Sequence, residues 1–226
     1  MRFTFYGHAC FSVVINGKKL LFDPFITGNE LASSIDIATI EADYIFLSHG
    51  HSDHVADAEA IAKATGATIV AAYEVATWFA TKGVEKYHPM NTGGQWSFDF
   101  GKVKCVNAIH SSTLPDGTGG GNPMGFVISS TEGNFYYSGD TALTLDMQLI
   151  PSFASIGFAI LPIGGNFTMD AADAIRAAKM AGAIKVIGVH YDTFGYIKID
   201  KQATIDLFQK EGLYLYLPSI GETIII

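Results

Sequence analysis

The sequence is poor in cysteine, and it has no long uninterrupted apolar run. Cys10 and Cys105 are its only two cysteines among 226 residues. They cannot build a disulfide framework and form no CxxC pair, so we expect neither a thiolate zinc site nor an oxidising compartment. The longest apolar stretch, 156–163, contains Gly157 and Pro162 and is far shorter than the roughly 20 residues of a membrane-spanning helix. The amino terminus lacks the apolar core of a signal peptide, and the sequence therefore predicts a cytoplasmic protein with no membrane partner.

Basic residues are also scarce. Lys and Arg number 14 against 22 Asp and Glu, for a net charge of −8. Without a local basic patch, this balance predicts no nucleic-acid partner. With 49% hydrophobic and only 16% charged residues, the chain can bury a sizeable core, and we expect one domain over residues 1–226. A homo-oligomer is compatible with the sequence, which does not define the number of copies.

Short apolar segments rich in β-branched and aromatic residues predict strands in much of the chain. Asn16-Gly17, between the second and third of these, is typical of a two-residue hairpin, so the chain should open with an antiparallel meander. The predicted strands are 3–6, 11–15, 19–22, 44–47, 102–108, 125–129, 134–137 and 184–189.

Helical periodicity begins only after the fourth strand. It predicts a helix that stops at Gly66 and another whose amino terminus is capped by Thr168 and whose end is marked by Gly182. Strands followed by strands mixed with helices indicate an α+β protein with a sheet core and external helices. The predicted helices are 57–65, 74–81, 168–182 and 201–210.

The densest polar motif directly follows the strand predicted at 44–47. It reads Ser48-His49-Gly50-His51-Ser52-Asp53-His54 and places four candidate metal ligands within six residues. In extended backbone, the spacing of His49 and His51 points both imidazoles to one side. A turn into the next helix can aim Asp53 and His54 at a neighbouring point. The motif therefore suits two adjacent cations.

Three more candidate ligands each follow a predicted strand. They are His110, Asp140 and His190. Each alone is equally well explained as an ordinary loop or cap residue. A site for two metals needs about six protein ligands, however, and loops at strand ends are where a rigid scaffold brings functional side chains together. Together with the histidine-rich motif, these residues predict a binuclear site.

Several other short motifs accompany these ligands along almost the whole chain, and in this order they resemble the metallo-β-lactamase fold superfamily. Within it, they are similar to a small branch of metal-dependent hydrolases related to bacterial ascorbate-6-phosphate lactonases. The motifs are Tyr6-Gly7-His8-Ala9-Cys10-Phe11, Asp23-Pro24-Phe25, Gly121-Asn122-Pro123-Met124-Gly125-Phe126, Gly139-Asp140-Thr141, Asp146-Met147, Pro162-Ile163-Gly164-Gly165-Asn166-Phe167-Thr168-Met169 and His190-Tyr191.

The resemblance implies a four-layer αββα sandwich with a binuclear site at the edge of its two sheets. It also implies hydrolysis of a small ester-like substrate, such as a lactone, a phosphodiester or a cyclic amide, by a metal-bound hydroxide. Zinc is the first expectation for the two divalent ions, with manganese, iron or nickel as alternatives. The implied ligands are His49, His51 and His110 at the first metal, Asp53, His54 and His190 at the second, and Asp140 as the bridge.

Roles outside direct ligation stay open at this stage. Asp53 can orient the attacking water and take its proton, or act as a ligand only. His8 can contact substrate, support a ligand, or be a buried structural histidine, and Asn166 and Tyr191 are candidate substrate contacts. We also expect Asp23 to accept the N–H of a ligand imidazole.

The chain departs from the related branch at positions expected near the pocket. These are Gly165, Asp170 and the segment Asp192-Thr193-Phe194-Gly195, so no relative's substrate carries over directly. The segment 111–122 is either a rim over the site or an ordinary surface loop. Two functional alternatives remain. One is a non-catalytic metal-binding or sensing member of the fold, and the other is a redox di-iron protein.

Overall fold

Two seven-stranded β-sheets pack face to face in the computed structural model, which describes residues 1–226. In spatial order, the first sheet contains β14 (Thr223–Ile225), β1 (Arg2–Gly7), β2 (Cys10–Ile15), β3 (Lys18–Phe22), β4 (Tyr44–Phe46), β5 (Thr68–Ala72) and β6 (Tyr87–Met90). The second contains β13 (Tyr214–Tyr216), β12 (Lys185–Val189), β11 (Phe158–Pro162), β10 (Gly133–Tyr137), β9 (Met124–Ser130), β8 (Gly101–Asn107) and β7 (Gln95–Phe98).

Helices cover the outer faces of both sheets. The six α-helices are α1 (Ser52–Val55), α2 (Ala58–Thr65), α3 (Tyr73–Thr81), α4 (Ile150–Phe153), α5 (Ala171–Met180) and α6 (Lys201–Lys210). Helices α2 and α3 pack on the first sheet, whereas α5 and α6 pack on the second. This is the predicted four-layer α+β sandwich, and the fold prediction is confirmed. No helix has both the length and the apolar character needed to cross a bilayer.

Aromatic side chains fill the space between the sheets. Phe3, Phe11, Phe22 and Phe46, on the neighbouring strands β1 to β4, stack with ring centroids 4.6 to 5.2 Å apart. Tyr137 of the opposite sheet meets the ring of Phe22 edge-on at 5.6 Å. Because successive side chains of a strand point to opposite faces, Tyr136 instead enters the second core beneath α5.

Most predicted elements are present, with shifts of one or two residues at their ends. The Asn16-Gly17 turn has positive φ at both residues, as a tight hairpin requires. The cap predicted at Thr168 is wrong. The side chain of Asp170 instead accepts from the backbone N–H of Asp173 and caps α5. Thr168 lies two residues earlier, in a turn that connects β11 to the helix.

Six strands were not predicted from the sequence. Parallel neighbours hold β5 and β6 in the first sheet, although β5 ends in two alanines and β6 contains Pro89. The edge strands β13 and β14 are only three residues long. The other two are β7 and β11. Except for β7, which forms a hairpin with β8, these strands pair with partners distant in sequence, and local residue patterns do not reveal such pairing.

Strand direction brings the functional loops together. Strands β1 and β3 are both antiparallel to β2, and β4 is parallel to β3, so these three strands share one carboxyl edge. In the second sheet, β8, β10, β11 and β12 share an edge for the same reason. Two backbone hydrogen bonds join the edges, from Met124 N to Ser48 O at 3.0 Å and from His190 N to His8 O at 2.8 Å.

Candidate metal centre

The histidine-rich motif lies in the loop between β4 and α1. His51 has extended backbone (φ −64°, ψ 147°) and precedes the first residue of α1. Asp53 and His54 lie in this short helix, whereas the sequence predicted them in a turn that leads into a helix beginning at residue 57. His49 and His54 are completely buried, whereas Asp53 is partly exposed.

Three imidazoles form what we call the first donor group, which consists of His49, His51 and His110. Their candidate ligand atoms all lie within 4.8 Å of one another. Nε2 of His49 lies 2.9 Å from Nδ1 of His51. Burial lowers the pKa of each of these three imidazoles, so they are neutral, the form that binds a metal ion.

The second donor group contains Asp53, His54 and His190, with His8 beside them. One ligand atom from each of these four residues falls within a 4.8 Å cluster. His54 Nε2 is 3.9 Å from Asp53 Oδ2. Residues distant in sequence meet here because β1, β4 and β12 all end at the shared edge of the two sheets.

Asp140 lies between the two donor groups. Its Oδ2 is 2.9 Å from His190 Nε2, 3.2 Å from His54 Nε2 and 3.7 Å from His110 Nε2. Burial favours the neutral acid, but the electrostatic effect of the adjacent His190 and His54 imidazoles holds the pKa of Asp140 well below its usual value. The carboxylate is thus buried, ionised and in reach of both groups, as a bridging ligand would be.

Gly139 allows the Asp140 loop to approach the histidine-rich motif. Its φ of +62° lies in the left-handed region, and a Cβ on it would stand 2.8 Å from Cβ of Ser48. Any side chain at this position would therefore push Asp140 away from the imidazoles.

Asp23 supports the centre from beneath. Its carboxylate accepts hydrogen bonds from Ser48 N (2.7 Å), Ser48 Oγ (2.6 Å), Tyr137 OH (2.6 Å) and His54 Nδ1 (2.9 Å). The bond from His54 keeps the Nδ1 proton in place and leaves Nε2 free to face Asp140. This contact confirms the predicted role of Asp23 in receiving an imidazole N–H.

Asp23→Asn is expected to weaken zinc binding about 10- to 100-fold, although Asp23 is outside both donor groups. The amide would offer an N–H to Nδ1 of His54 and so favour the tautomer protonated on Nε2, the nitrogen needed for the metal. Competition with a chromogenic chelator measures the affinity. The matched control is Asp57→Asn. Asp57 is a buried carboxylate that accepts from Ile26 N and Thr27 N and bonds no imidazole. Equal losses in both variants would contradict the tautomer argument.

Three residues of the centre have positive φ. His8, Asp23 and His190 have φ values of 53°, 41° and 56°. This conformation is unfavourable for residues other than glycine and persists where surrounding contacts enforce it, typically at functional sites. Here the backbone bond from His190 N to His8 O fixes two of the three positions.

An open cavity of about 620 Å³ lies over the donor groups. Asp53, Asp140 and three of the imidazoles line its floor. The segment 111–122 begins at this cavity, where Ser111 Oγ lies 3.2 Å from His51 Nε2. The lining residues are Phe25, His51, Ser52, Asp53, His110, Ser111, Asp140, Phe167, His190, Phe194 and Tyr196.

The sequence-predicted substrate contacts are not among these lining residues. Tyr191 is wrongly predicted to line the pocket because its side chain turns into the core, where its ring stacks on Phe5 at 6.3 Å. Asn166 is exposed to solvent outside the cavity. His8 is buried and touches Asp53 rather than the open space. The aromatic residues that do line the cavity were missed, although Phe167 and Phe194 lie within three residues of Asn166 and Tyr191.

The donors fit divalent cations. His54 Nε2 is buried and has no hydrogen-bond partner, which is costly unless another group uses it. Five imidazoles and two carboxylates at one point form the nitrogen and oxygen donor set that zinc and related first-row ions prefer. His88, in contrast, packs against Trp96 and Phe98, away from the centre.

Comparisons with known proteins agree with this fold. The family model for the β-lactamase superfamily domain matches residues 18–191. A metal-dependent hydrolase from Flavobacterium johnsoniae is 55% identical over 224 residues, and one from Christiangramia forsetii is 53% identical over 225, each alignment covering 99% of both chains. Among solved structures, the metallo hydrolase Igni18 from Ignicoccus hospitalis is 31% identical with a TM-score of 0.89, covering 99% of this chain and 97% of its own.

The fold and the histidine-rich centre thus define a metallo-hydrolase of the β-lactamase superfamily. Within that superfamily, the chain belongs to the UPF0173 family of metal-dependent hydrolases.

Proposed function

We propose that this enzyme uses two divalent metal ions, zinc in the first instance, to hydrolyse a small ester-like molecule: a lactone, a phosphodiester or a cyclic amide. The observation that carries the proposal is the position of Asp140. Its buried carboxylate reaches imidazoles of both donor groups at the floor of an open cavity. A structural metal site would not require this opening to solvent.

In this proposal the first donor group holds one ion, the second holds the other, and Asp140 bridges them. Two such ions, when bound, lower the pKa of a coordinated water from 15.7 toward about 7 and polarise the scissile group. The protein residues then align the reactants. Phe25 lines the cavity beside these donors.

His8 orients Asp53. His8 Nε2 lies 3.1 Å from Asp53 Oδ2, and Nδ1 lies 3.0 Å from Thr193 Oγ1. Burial lowers the pKa of His8 to about 4, so the ring is neutral at physiological pH and carries one proton. Because the carboxylate can only accept, this proton is on Nε2 and Nδ1 accepts from the Thr193 hydroxyl. The chain of contacts fixes the rotamer of Asp53 at the edge of the cavity.

Asp53→Asn tests whether this carboxylate is a ligand or only a base. Its Oδ2 belongs to the same cluster as the His54 and His190 nitrogens, so we expect the second equivalent of zinc to bind about 100-fold more weakly. Isothermal titration of the metal-free protein measures both equivalents. Asp206→Asn, on the exposed face of α6, is the control. Two unchanged equivalents combined with lost turnover would instead assign Asp53 the role of base alone.

The proposed activity is tested with metal-free protein reloaded with zinc, manganese, iron or nickel. Metal analysis should find two ions per chain, and a panel of lactones, phosphodiesters and cyclic amides should reveal turnover that depends on both. One tightly held ion and no turnover with any class would favour a non-catalytic role. Oxygen consumption by the iron-loaded protein, without hydrolysis, would favour a redox di-iron role.

A further inference from the structure

We propose that the substrate carries an uncharged aromatic or alkyl group beside its scissile bond, and that four aromatic side chains bind this group. This inference rests on the proposed function, because it assumes that the reacting group lies at the metal donors. We call Phe25, Phe167, Phe194 and Tyr196 the aromatic wall. All four line the same cavity as the donor groups.

Core packing explains the buried Phe25 of the aromatic wall but not the other three residues. Phe167 is 51% exposed, Phe194 37% and Tyr196 78%. Such exposure of large apolar groups, concentrated at one opening, is typical of a binding site. The ring of Phe167 meets that of Tyr196 edge-on at 6.3 Å, and Phe25 lies 6.4 Å from Phe194.

Three of the wall residues come from the two loops that follow β11 and β12. Phe167 lies in the first loop, between Gly165 and Asp170. Phe194 and Tyr196 lie in the second loop, which begins at His190. These loops also contain the positions where the sequence departs from the related branch. Three of the four wall residues therefore lie in the loops that carry these departures, and the second of these loops begins at His190.

The charge of the cavity selects against a charged substituent. No Lys or Arg lines it, and its only carboxylates, Asp53 and Asp140, belong to the metal donors. Lys201, the first residue of α6, forms an ion pair with Asp192 (3.3 Å) and does not line the cavity. A phosphate or carboxylate distant from the reacting group would therefore lose hydration without gaining a counter-charge. An apolar ring loses little favourable hydration when it enters the cavity, and it gains contact with the four aromatic side chains.

Three hydroxamates that share one metal-binding group test the inference by binding rather than turnover. They are acetohydroxamate, benzohydroxamate and 4-carboxybenzohydroxamate, titrated calorimetrically into the zinc-loaded protein. We expect benzohydroxamate to bind about 10- to 100-fold more tightly than acetohydroxamate, because its ring buries roughly 100 Å² of apolar surface. The added carboxylate should remove most of this gain. Equal affinity for all three compounds would overturn the inference.

Variants of exposed wall residues provide the second measurement. Phe167→Ala and Tyr196→Ala should each reduce benzohydroxamate affinity about 3- to 10-fold and leave acetohydroxamate affinity unchanged. Tyr214→Ala removes a 62% exposed tyrosine on β13, away from the cavity, and should change neither. If the variants leave benzohydroxamate affinity unchanged, the wall does not bind the substituent. If acetohydroxamate itself does not bind, the metal-centred function has failed, and this result differs from failure of the wall.

Discussion

Asp140→Asn is expected to reduce hydrolysis about 1,000-fold or more and to lower bound zinc from two ions per chain to one or fewer. Removal of a group that only hydrogen-bonds a metal ligand already lowers metal affinity or activity about 10- to 100-fold. Asp140 is the group closest to both donor groups, so its loss should have a larger effect. The amide keeps the shape of the side chain but not its charge. In one of the two possible orientations of the amide, its NH2 group points toward His54 and His190, where a cation is expected.

Zinc content after gel filtration and turnover on the best substrate of the panel measure this effect. Asp206→Asn again serves as the control, since it makes the same chemical change on the exposed face of α6. Circular dichroism establishes that the variant is folded. A folded Asp140→Asn protein that retains two zinc ions would contradict the bridging role, even if its turnover fell.

The histidine-rich motif is predictable from sequence because its geometry is local. An extended segment followed by one helical turn is enough to place His49, His51, Asp53 and His54 around one point. Their partners were predicted for a different reason. His110, Asp140 and His190 each follow a strand, and strands of the same direction end at the same edge of a sheet.

The substrate contacts were predicted poorly because loop side chains do not follow a fixed period. Positive φ at His190 and Asp192 reverses the backbone twice, which turns Tyr191 inward and leaves Phe194 at the cavity. The local sequence pattern predicts neither the inward direction of Tyr191 nor the position of Phe194 at the cavity. The aromatic residues beside the glycines of both loops were the available clue. Three exposed aromatic residues in these loops, Phe167, Phe194 and Tyr196, are hard to reconcile with core packing alone.

The role of His8 also depended on tertiary structure. Its place after β1 suggested three roles, and only the structure, in which the loop after β1 meets α1, shows that it bonds Asp53. The division of side chains between the two cores, in contrast, follows from strand geometry. Successive residues of a strand point to opposite faces, which separates Tyr136 from its neighbours Phe135 and Tyr137 once β10 is identified.

Removal of the metals is expected to lower the melting temperature by about 10 to 20 °C. An ion present at 100 times its dissociation constant stabilises the folded state by about 2.7 kcal/mol, so two such ions contribute about 5 kcal/mol. In a chain of about this length, each kcal/mol shifts the melting temperature by about 2–4 °C. The ions should strongly stabilise the folded state because the donors come from both sheets, which meet at this edge. Differential scanning calorimetry of the zinc-loaded and chelated proteins measures the shift.

The size of this shift should grow as the pH rises from about 6 to about 8. Burial alone would lower the pKa of His54, but the carboxylates of Asp140 and Asp23 on either side raise it well above its usual value. In the chelated protein, the His54 proton therefore supplies stability that is fully present below the imidazole's unfolded pKa and is lost as the pH passes through the raised value. A cation on Nε2 must displace this proton, so acid weakens metal binding while it stabilises the metal-free form. Both effects increase the difference in melting temperature between the zinc-loaded and the chelated protein at higher pH. A chelated protein, verified to be metal-free, that melts at the same temperature as the loaded form would show that the centre does not join the sheets through its ions.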